Sequence, residues 1–131
     1  SQTLGRLGEA ALVAIQCGRK EACILPDVFH MYRGGSAFEG LRLLSAQAIA
    51  VFHVNDYPAD PPREQSTDAH RVMPGDGVAP LGQIFRDLAA IGYRGMISLE
   101  LFNRDYWKME PLQVARIGLE KMRSAVRKAL A

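Results

Sequence analysis

The chain has 131 residues, of which 48% are hydrophobic and 23% charged, a composition typical of one globular domain and not of disordered or fibrous proteins. Sixteen Lys and Arg residues nearly balance fourteen Asp and Glu residues, so charge alone does not indicate a nucleic-acid surface. No apolar run approaches the roughly 20 residues that cross a bilayer, and the N-terminal residues lack the features of a secretion signal, so we expect a cytoplasmic protein without a nucleic-acid or membrane partner.

The first elements in the chain are a helix and a short buried strand. Helix formers over residues 7–16, followed by Gly18 as a stop signal, predict the helix. The apolar run 23–25 ends at Pro26 and Asp27 and predicts the strand. The polar residues within 30–35 then predict a loop.

The two cysteines, Cys17 and Cys23, carry little functional information. They are too few for a disulfide scaffold and have no partner at zinc-finger spacing. Because free cysteine is among the most buried residue types, we expect two reduced thiols in the core.

A second helix, a second strand and a long loop follow. Ser36 and Glu39 have capping-box spacing and predict a helix over residues 36–45. The apolar run 48–54 predicts a strand that is interrupted only by His53. Residues 55–77 are rich in Pro, Asp and Gly, and a loop of this length within a domain is usually functional.

The last third of the chain repeats the alternation of helix and strand. Pro80 starts an amphipathic helix that ends at Gly92, and residues 96–101 predict a third strand. Pro111 starts the final helix, whose predicted apolar face consists of Leu112, Ala115, Leu119, Met122 and Val126. The order is therefore a helix and three strand–helix units, which predicts an α/β fold with a parallel sheet.

Each predicted strand ends in a side chain that can bind a divalent metal, namely Asp27, His53 and Glu100. Sites in parallel α/β folds assemble at the carboxyl ends of the strands. Two carboxylates and one imidazole suit Mn²⁺, Co²⁺, Zn²⁺ or Mg²⁺. For each residue alone a structural role is the simpler interpretation, and only their common position favours a metal site.

Two further residues are candidates for contacts with a substrate. His30 lies three residues after Asp27, close enough to face the same site. Arg71 begins the string RVMPGDG (71–77), in which glycines permit a tight turn and the guanidinium is able to hold a substrate oxygen. Neither residue indicates a function by itself.

Four strings in fixed order resemble the C-terminal half of the xylose isomerase-like TIM-barrel superfamily, and within it the inosose (2-keto-myo-inositol) isomerases and related sugar isomerases and epimerases. They are LPDVFHMYRGGS (25–36), VFHVNDYP (51–58), RVMPGDG (71–77) and GYRGMISLELFNRDYWK (92–108). The resemblance implies a partial (β/α)₈ barrel in which the three strands are the sixth, seventh and eighth. Residues 1–131 are then the C-terminal part of such a barrel.

The resemblance also implies a mechanism and a set of roles. Asp27, His53 and Glu100 correspond to metal ligands, with Glu100 also a catalytic proton-transfer group, while His30 and Arg71 correspond to substrate contacts. The implied substrate is a small sugar or inosose, isomerised through an enediolate. The family's fourth ligand, a Glu on strand five, has no counterpart.

The missing strand predicts that the chain needs more polypeptide to act. A barrel needs roughly 200 residues or more. With Ser1 in place of an initial Met, we expect a fragment of a longer enzyme, or a half that pairs with a second chain, and we expect the isolated chain to be inactive.

Three other functions remain open from the sequence. A lyase such as inosose or 3-dehydroshikimate dehydratase begins with the same proton abstraction. An AP endonuclease of the endonuclease IV type shares Asp-x-x-His, but Ala69 and Arg71 stand where its further ligands would align. A non-catalytic binding domain, in which the polar strand ends are coincidental, is the third.

Overall fold

In the computed structural model, which describes residues 4–131, helices alternate with two short parallel strands, β1 (Val51–Val54) and β2 (Met96–Leu99). The predicted α/β class with a parallel sheet is confirmed. The α-helices are α1 (Leu7–Cys17), α2 (Val28–Gly34), α3 (Leu81–Ala90), α4 (Arg104–Trp107) and α5 (Pro111–Leu130), and short 3₁₀ helices span Phe38–Leu43, Ala46–Ala48 and Asp68–His70.

The three predicted strands lie side by side in chain order. Strands β1 and β2 pair in parallel along their whole length. On the other side of β1, Ile24 and Asp27 form single parallel bridges to Ile49 and His53. The first predicted strand is thus reduced to two bridges, because Pro26 between them has no N–H to donate to a continuous ladder.

The two faces of β1 have different surroundings. Phe52 and Val54 are fully buried, whereas His53 on the opposite face is only partly buried. Since successive side chains of a strand alternate between its faces, the helices cover one face, and the face that carries His53 is less covered within residues 4–131. The buried face packs into one core with Val28, Phe29, Met31, Leu41, Ile84, Phe85 and Leu88.

The segment after Asp27 is a helix and not the predicted loop. Asp27 is the N-cap of α2, and its Oδ1 accepts a hydrogen bond of 2.9 Å from the His30 backbone N–H. Gly35 ends the helix with a left-handed φ of 73°. Phe29 and Met31 are buried and give this helix an apolar side among its polar residues.

The predicted α-helix over residues 36–45 is also wrong. The Ser36 hydroxyl accepts a hydrogen bond from the backbone N–H of Leu7, 29 positions earlier in the chain. It therefore caps α1 and not a helix of its own, and the segment forms 3₁₀ turns instead. A capping-box spacing cannot by itself distinguish a local from a distant partner.

Both cysteines lie on the surface, which contradicts the expectation of core thiols. Cys17 ends α1, a helix without any buried residue. Cys23 precedes Ile24, which takes the inward position of the chain at 9% exposure. The alternation of sides in extended chain therefore turns Cys23 outward.

Helices α3 and α5 begin and end close to the predicted positions, but the face that α5 buries differs. Met122 and Val126 pack against the core, while Leu112 and Leu119 are 57% and 44% exposed. Gly118 lies on the buried face of α5 and lets the helix approach Leu99 of β2, where a Cβ would overlap the Leu99 side chain. In the described part of the chain, no helix combines the length and apolarity that a bilayer crossing needs.

Candidate metal centre

Asp27, His53 and Glu100 meet at the carboxyl ends of the neighbouring strands. One possible ligand atom of each lies within 4.8 Å of the others. His53 Nδ1 is 3.7 Å from Asp27 Oδ2 and 3.4 Å from Glu100 Oε2. The sheet brings these residues together although 73 positions separate the first from the last.

Backbone pairing explains why the three side chains converge. Asp27 is the bridge partner of His53, and His53 N–H donates to the Pro26 carbonyl at 2.9 Å. Glu100 follows β2 directly, and its N–H donates to the Val54 carbonyl at 3.3 Å. Parallel pairing therefore places all three at one edge of the sheet.

The geometry fits one divalent cation. In a tetrahedral site with bonds of about 2.1 Å, ligand atoms lie about 3.4 Å apart, which is close to the two separations measured from His53. Two carboxylate oxygens and one imidazole nitrogen form a donor set that Zn²⁺ and Mn²⁺ both accept. Asp27 is 3% exposed, and a buried carboxylate needs such a cation or other strong partners.

Arg71 lies in the same cluster and is completely buried. Its Nη1 donates to Asp27 Oδ2 at 3.0 Å and to Glu100 Oε2 at 2.8 Å. Its Nε and Nη2 both donate to Asp68 Oδ1. The structure therefore brings Arg71 to the predicted site, where its partners are protein carboxylates.

His30 completes the set of residues that the sequence singled out. Its Nε2 is 3.0 Å from Arg71 Nη2. Since arginine has no acceptor, the imidazole nitrogen must accept this hydrogen bond, which places the ring proton on Nδ1. His30 is exposed, and its ring borders a cavity of about 460 Å³ together with Arg33, Thr67 and Asp68.

Asn55 belongs to the site and was missed in the sequence. It is fully buried, and its Nδ2 donates to Asp27 Oδ2 at 3.1 Å and to the Glu100 carbonyl at 3.4 Å. Asn55 follows β1 directly and stands two residues after His53, and the alternation of sides in extended chain predicts that the two side chains point the same way.

Three more residues of the site, Asp68, Phe29 and Phe102, also escaped sequence analysis. The Arg71 guanidinium lies between the two aromatic rings, 5.0 Å from the Phe29 centroid and 5.1 Å from the Phe102 centroid. Such contacts stabilise a cation and restrict its orientation. Asp68 lies only three residues before Arg71, so this ion pair had a local signal. Phe29 and Phe102 lie in separate segments, and no local pattern reveals their contact with Arg71.

Asp56 holds the loop that carries Arg71. Its carboxylate accepts hydrogen bonds of 2.9 Å from the Gly75 N–H and 2.8 Å from the Ala79 N–H. Its backbone exchanges two hydrogen bonds of 2.9 Å with Val72, the residue after Arg71. The string 71–77 is therefore an ordered turn that directs Arg71 toward the ligands.

The neighbouring Tyr57 reports on the packing beneath this loop. Burial, together with the smaller effects of Tyr32 and the Asp56 carboxylate, raises the pKa of its hydroxyl to about 12. The rings of Tyr32 and Tyr57 stack with centroids 3.7 Å apart. The base of the loop is therefore apolar and closely packed.

Comparison with known proteins gives consistent matches over most of the chain. The model of the family described as the xylose isomerase-like TIM barrel matches residues 2–125. An inosose isomerase of Bacillus velezensis is 29% identical over 126 residues, which cover 96% of this chain and 45% of that protein. One from Halalkalibacterium halodurans is 32% identical over 107 residues, 82% of this chain and 38% of that protein.

Solved structures give the same result at the level of the fold. A crystal structure of an IolI protein with a bound zinc atom superposes with a TM-score of 0.90 at 27% identity, over 97% of this chain and 45% of that one. An L-ribulose 3-epimerase matches with a TM-score of 0.73 at 19% identity, over 98% and 44%. The chain thus spans less than half the length of these relatives and has the fold of part of a barrel.

Proposed function

The chain belongs to the xylose isomerase-like TIM barrel family, and from this premise we propose that it is the C-terminal part of a metal-dependent isomerase. The reaction moves a proton from the carbon atom next to the carbonyl group of a sugar or an inosose to the carbonyl carbon itself. The substrate class is suggested by relatives named inosose isomerase. The proposed cofactor is one divalent ion, with zinc, manganese, cobalt and magnesium all compatible with the ligands.

The convergence of Asp27, His53 and Glu100 is the observation that carries this proposal. Their ligand atoms lie within 4.8 Å of one another at the strand ends. A divalent ion bound there would polarise a carbonyl and its neighbouring hydroxyl and so acidify the C–H bond of the carbon that carries this hydroxyl. A generic α/β domain has no need for two carboxylates and an imidazole at this edge.

Proton transfer is assigned to Glu100. Its side chain is about one-third exposed, at 32%, whereas Asp27 is at 2%, so Glu100 is the carboxylate that a substrate reaches more easily. A carboxylate beside the acidified C–H bond removes the proton and leaves an enediolate. Isomerisation then returns the proton to the former carbonyl carbon, while the proton of the neighbouring hydroxyl passes to the former carbonyl oxygen.

Substrate contacts are assigned to Arg71 and His30. The guanidinium is the cation nearest to the carboxylates and stabilises negative charge on a substrate oxygen. The Nδ1–H of His30 is the donor left after Nε2 has accepted from Arg71, and it orients a substrate hydroxyl.

A complete barrel is part of the proposal. Beyond β2, no strand among residues 4–131 pairs with its second edge, and Met96 of β2 is 71% exposed. A groove of about 310 Å³ between β2 and α5 is lined by Ile97, Leu119, Met122 and Val126. We propose that the remaining strands and helices of the barrel, in the same polypeptide or in a second chain, cover these surfaces and supply the second carboxylate.

The test is proton exchange at the substrate's α-carbon, in the complete protein that includes this chain. With an inosose in D₂O and added Mn²⁺, we expect deuterium incorporation that NMR detects. Glu100→Gln should lower the rate by at least roughly 10²-fold, the lower range for loss of a general base. Glu120→Gln, the same change at an exposed position of α5, is the matched control.

The reaction products distinguish an isomerase from the competing lyase. Exchange with recovery of an isomeric ketone supports it, whereas loss of water from the substrate would assign the chain to the dehydratases. Equal rates in Glu100→Gln and wild type would mean that another group transfers the proton.

A further inference from the structure

Every N–H donor of Arg71 already has an acceptor within the chain. A guanidinium has five N–H groups, and Arg71 makes five hydrogen-bond contacts, two to Asp68, one to His30, one to Asp27 and one to Glu100. The side chain is 0% exposed. A substrate oxygen therefore has no free donor to bind on Arg71 in this arrangement.

The acceptors of Nη1 are the same atoms that the proposed metal would use. Asp27 Oδ2 accepts from both Arg71 and Asn55, and Glu100 Oε2 accepts from Arg71. These two oxygens are also the ones that lie 3.7 and 3.4 Å from His53 Nδ1. Since an oxygen of this type has two lone-pair sites, a cation that binds Asp27 Oδ2 must displace one of its two donors, and it repels the positively charged Arg71 but not the neutral Asn55 amide.

We propose that Arg71 and the divalent cation compete for Asp27 Oδ2 and Glu100 Oε2, so that binding of the cation releases Nη1 to hold a substrate oxygen. This inference rests on the proposed metal site and adds an order of events to it. Asp68 retains Nε and Nη2 while Nη1 is released, and the rings of Phe29 and Phe102 hold the guanidinium plane. Arg71 is then a link between the metal and substrate sites.

Competition and a purely supporting role predict opposite changes in metal affinity when Arg71 is removed. If Arg71 only positions the ligands, its removal weakens metal binding. If it competes, removal of its charge and its donors tightens metal binding, because the cation no longer has to displace a guanidinium or bear its repulsion. We expect Arg71→Met to tighten Zn²⁺ binding by roughly tenfold or more.

The measurement is isothermal titration of Zn²⁺ into the complete protein and its variants. The matched control is Arg33→Met, which removes one positive charge nearby, but from a side chain that donates to the carbonyl groups of Ser66 and Glu64 and not to a carboxylate. Arg33→Met should leave the Zn²⁺ dissociation constant within about twofold. Arg71→Lys, which keeps the charge, should remain nearer to wild type than Arg71→Met.

The Zn²⁺ affinities of the variants distinguish competition from the metal site itself. Tighter Zn²⁺ binding by Arg71→Met supports competition, whereas unchanged or weaker binding overturns it and leaves the proposed metal site intact. Wild-type protein that binds no Zn²⁺ overturns the metal site and this inference together.

A second measurement on the wild type avoids any dependence on the folding of a variant. Hydrogen exchange of the Arg71 side chain, followed by ¹⁵N NMR, should become faster at Nη1 on addition of Zn²⁺, while Nε–H, held by Asp68, stays protected. Nη1 protons that stay equally protected in saturating Zn²⁺ would contradict the release of this donor.

Discussion

Asn55 is a fully buried residue just after β1, and its role follows from its two hydrogen bonds. It sits between two proposed ligands, donating to the Asp27 side chain and to the Glu100 backbone. A side-chain amide that fixes a carboxylate ligand is a positioning group. The Oδ1 of Asn55 has no hydrogen-bond partner among the described residues. We therefore treat it as part of the metal centre.

Asn55→Ala tests this role at the scale of one residue. Because partners of metal ligands typically contribute 10–100-fold to metal affinity, we expect the Zn²⁺ dissociation constant to rise by at least roughly tenfold, measured by titration calorimetry. Asn103→Ala is the matched control, since Asn103 donates to the Arg71 carbonyl and accepts from Asp105 N–H. Equal effects of the two variants would argue against a specific role for Asn55.

The turn that carries Arg71 is the element on which the site depends most. Asp56 binds three backbone N–H groups, those of Tyr57, Gly75 and Ala79, and thereby joins the end of β1 to the start of α3. Gly77 lies against the Asp56 carboxylate and the Tyr57 carbonyl so closely that a Cβ there would overlap both. Only glycine fits at position 77, because there is no space for a Cβ atom.

Gly77→Ala should therefore destabilise the protein. Overpacking typically costs about 1–3 kcal/mol, and we expect the free energy of unfolding in urea to fall by that amount. Gly8→Ala makes the same change in α1, where a Cβ meets nothing within 4 Å. It should be neutral or stabilise by up to about 1 kcal/mol, and a comparable loss in both variants would contradict the steric explanation.

The stacked tyrosines beneath the turn predict an alkaline limit of stability. Burial raises the pKa of Tyr57 from 10.0 to about 12 in the folded state. The unfolded chain therefore loses this proton first, and the stabilisation, complete below pH 10, is lost between pH 10 and about 12. For one such group the free energy of unfolding falls by up to about 1.4 kcal/mol per pH unit.

Tyr57→Phe tests that limit. It should reduce the fall in unfolding free energy between pH 10 and 11.5, measured by denaturation at fixed ionic strength. The residual slope should come in part from Tyr93, whose pKa burial also raises. A slope as steep in Tyr57→Phe as in the wild type would place the titrating group elsewhere.

At the scale of the whole molecule, the described residues expose apolar side chains on both sides of the sheet. Leu12, Val13 and Ile15 of α1 are 55%, 54% and 73% exposed, and Leu119 and Met96 are exposed at the other end of the sheet. A (β/α)₈ barrel has a neighbouring strand and helix on both sides of any such segment. The exposed residues therefore match the contacts that the proposed remainder of the barrel would make.

The 131-residue chain alone should bind divalent metal weakly and show no isomerase activity. The proposed site has three ligands here, and water that reaches its open side competes for the metal and screens the charges. Supplying the preceding part of the barrel, in one chain or as a separate half, should restore deuterium exchange into an inosose. Exchange at full rate by the isolated chain would mean that these residues form a complete site, for example across a homodimer.

The sequence by itself determined the α/β class, the parallel order of the strands and the three residues at their carboxyl ends, because these depend on local apolar runs and on where each run stops. Only the tertiary structure decided that Phe29 and Phe102 both contact the Arg71 guanidinium. It also decided that Arg71 binds Asp27, 44 positions away. Such contacts depend on which distant side chains share a buried volume, and no pattern within one segment specifies that.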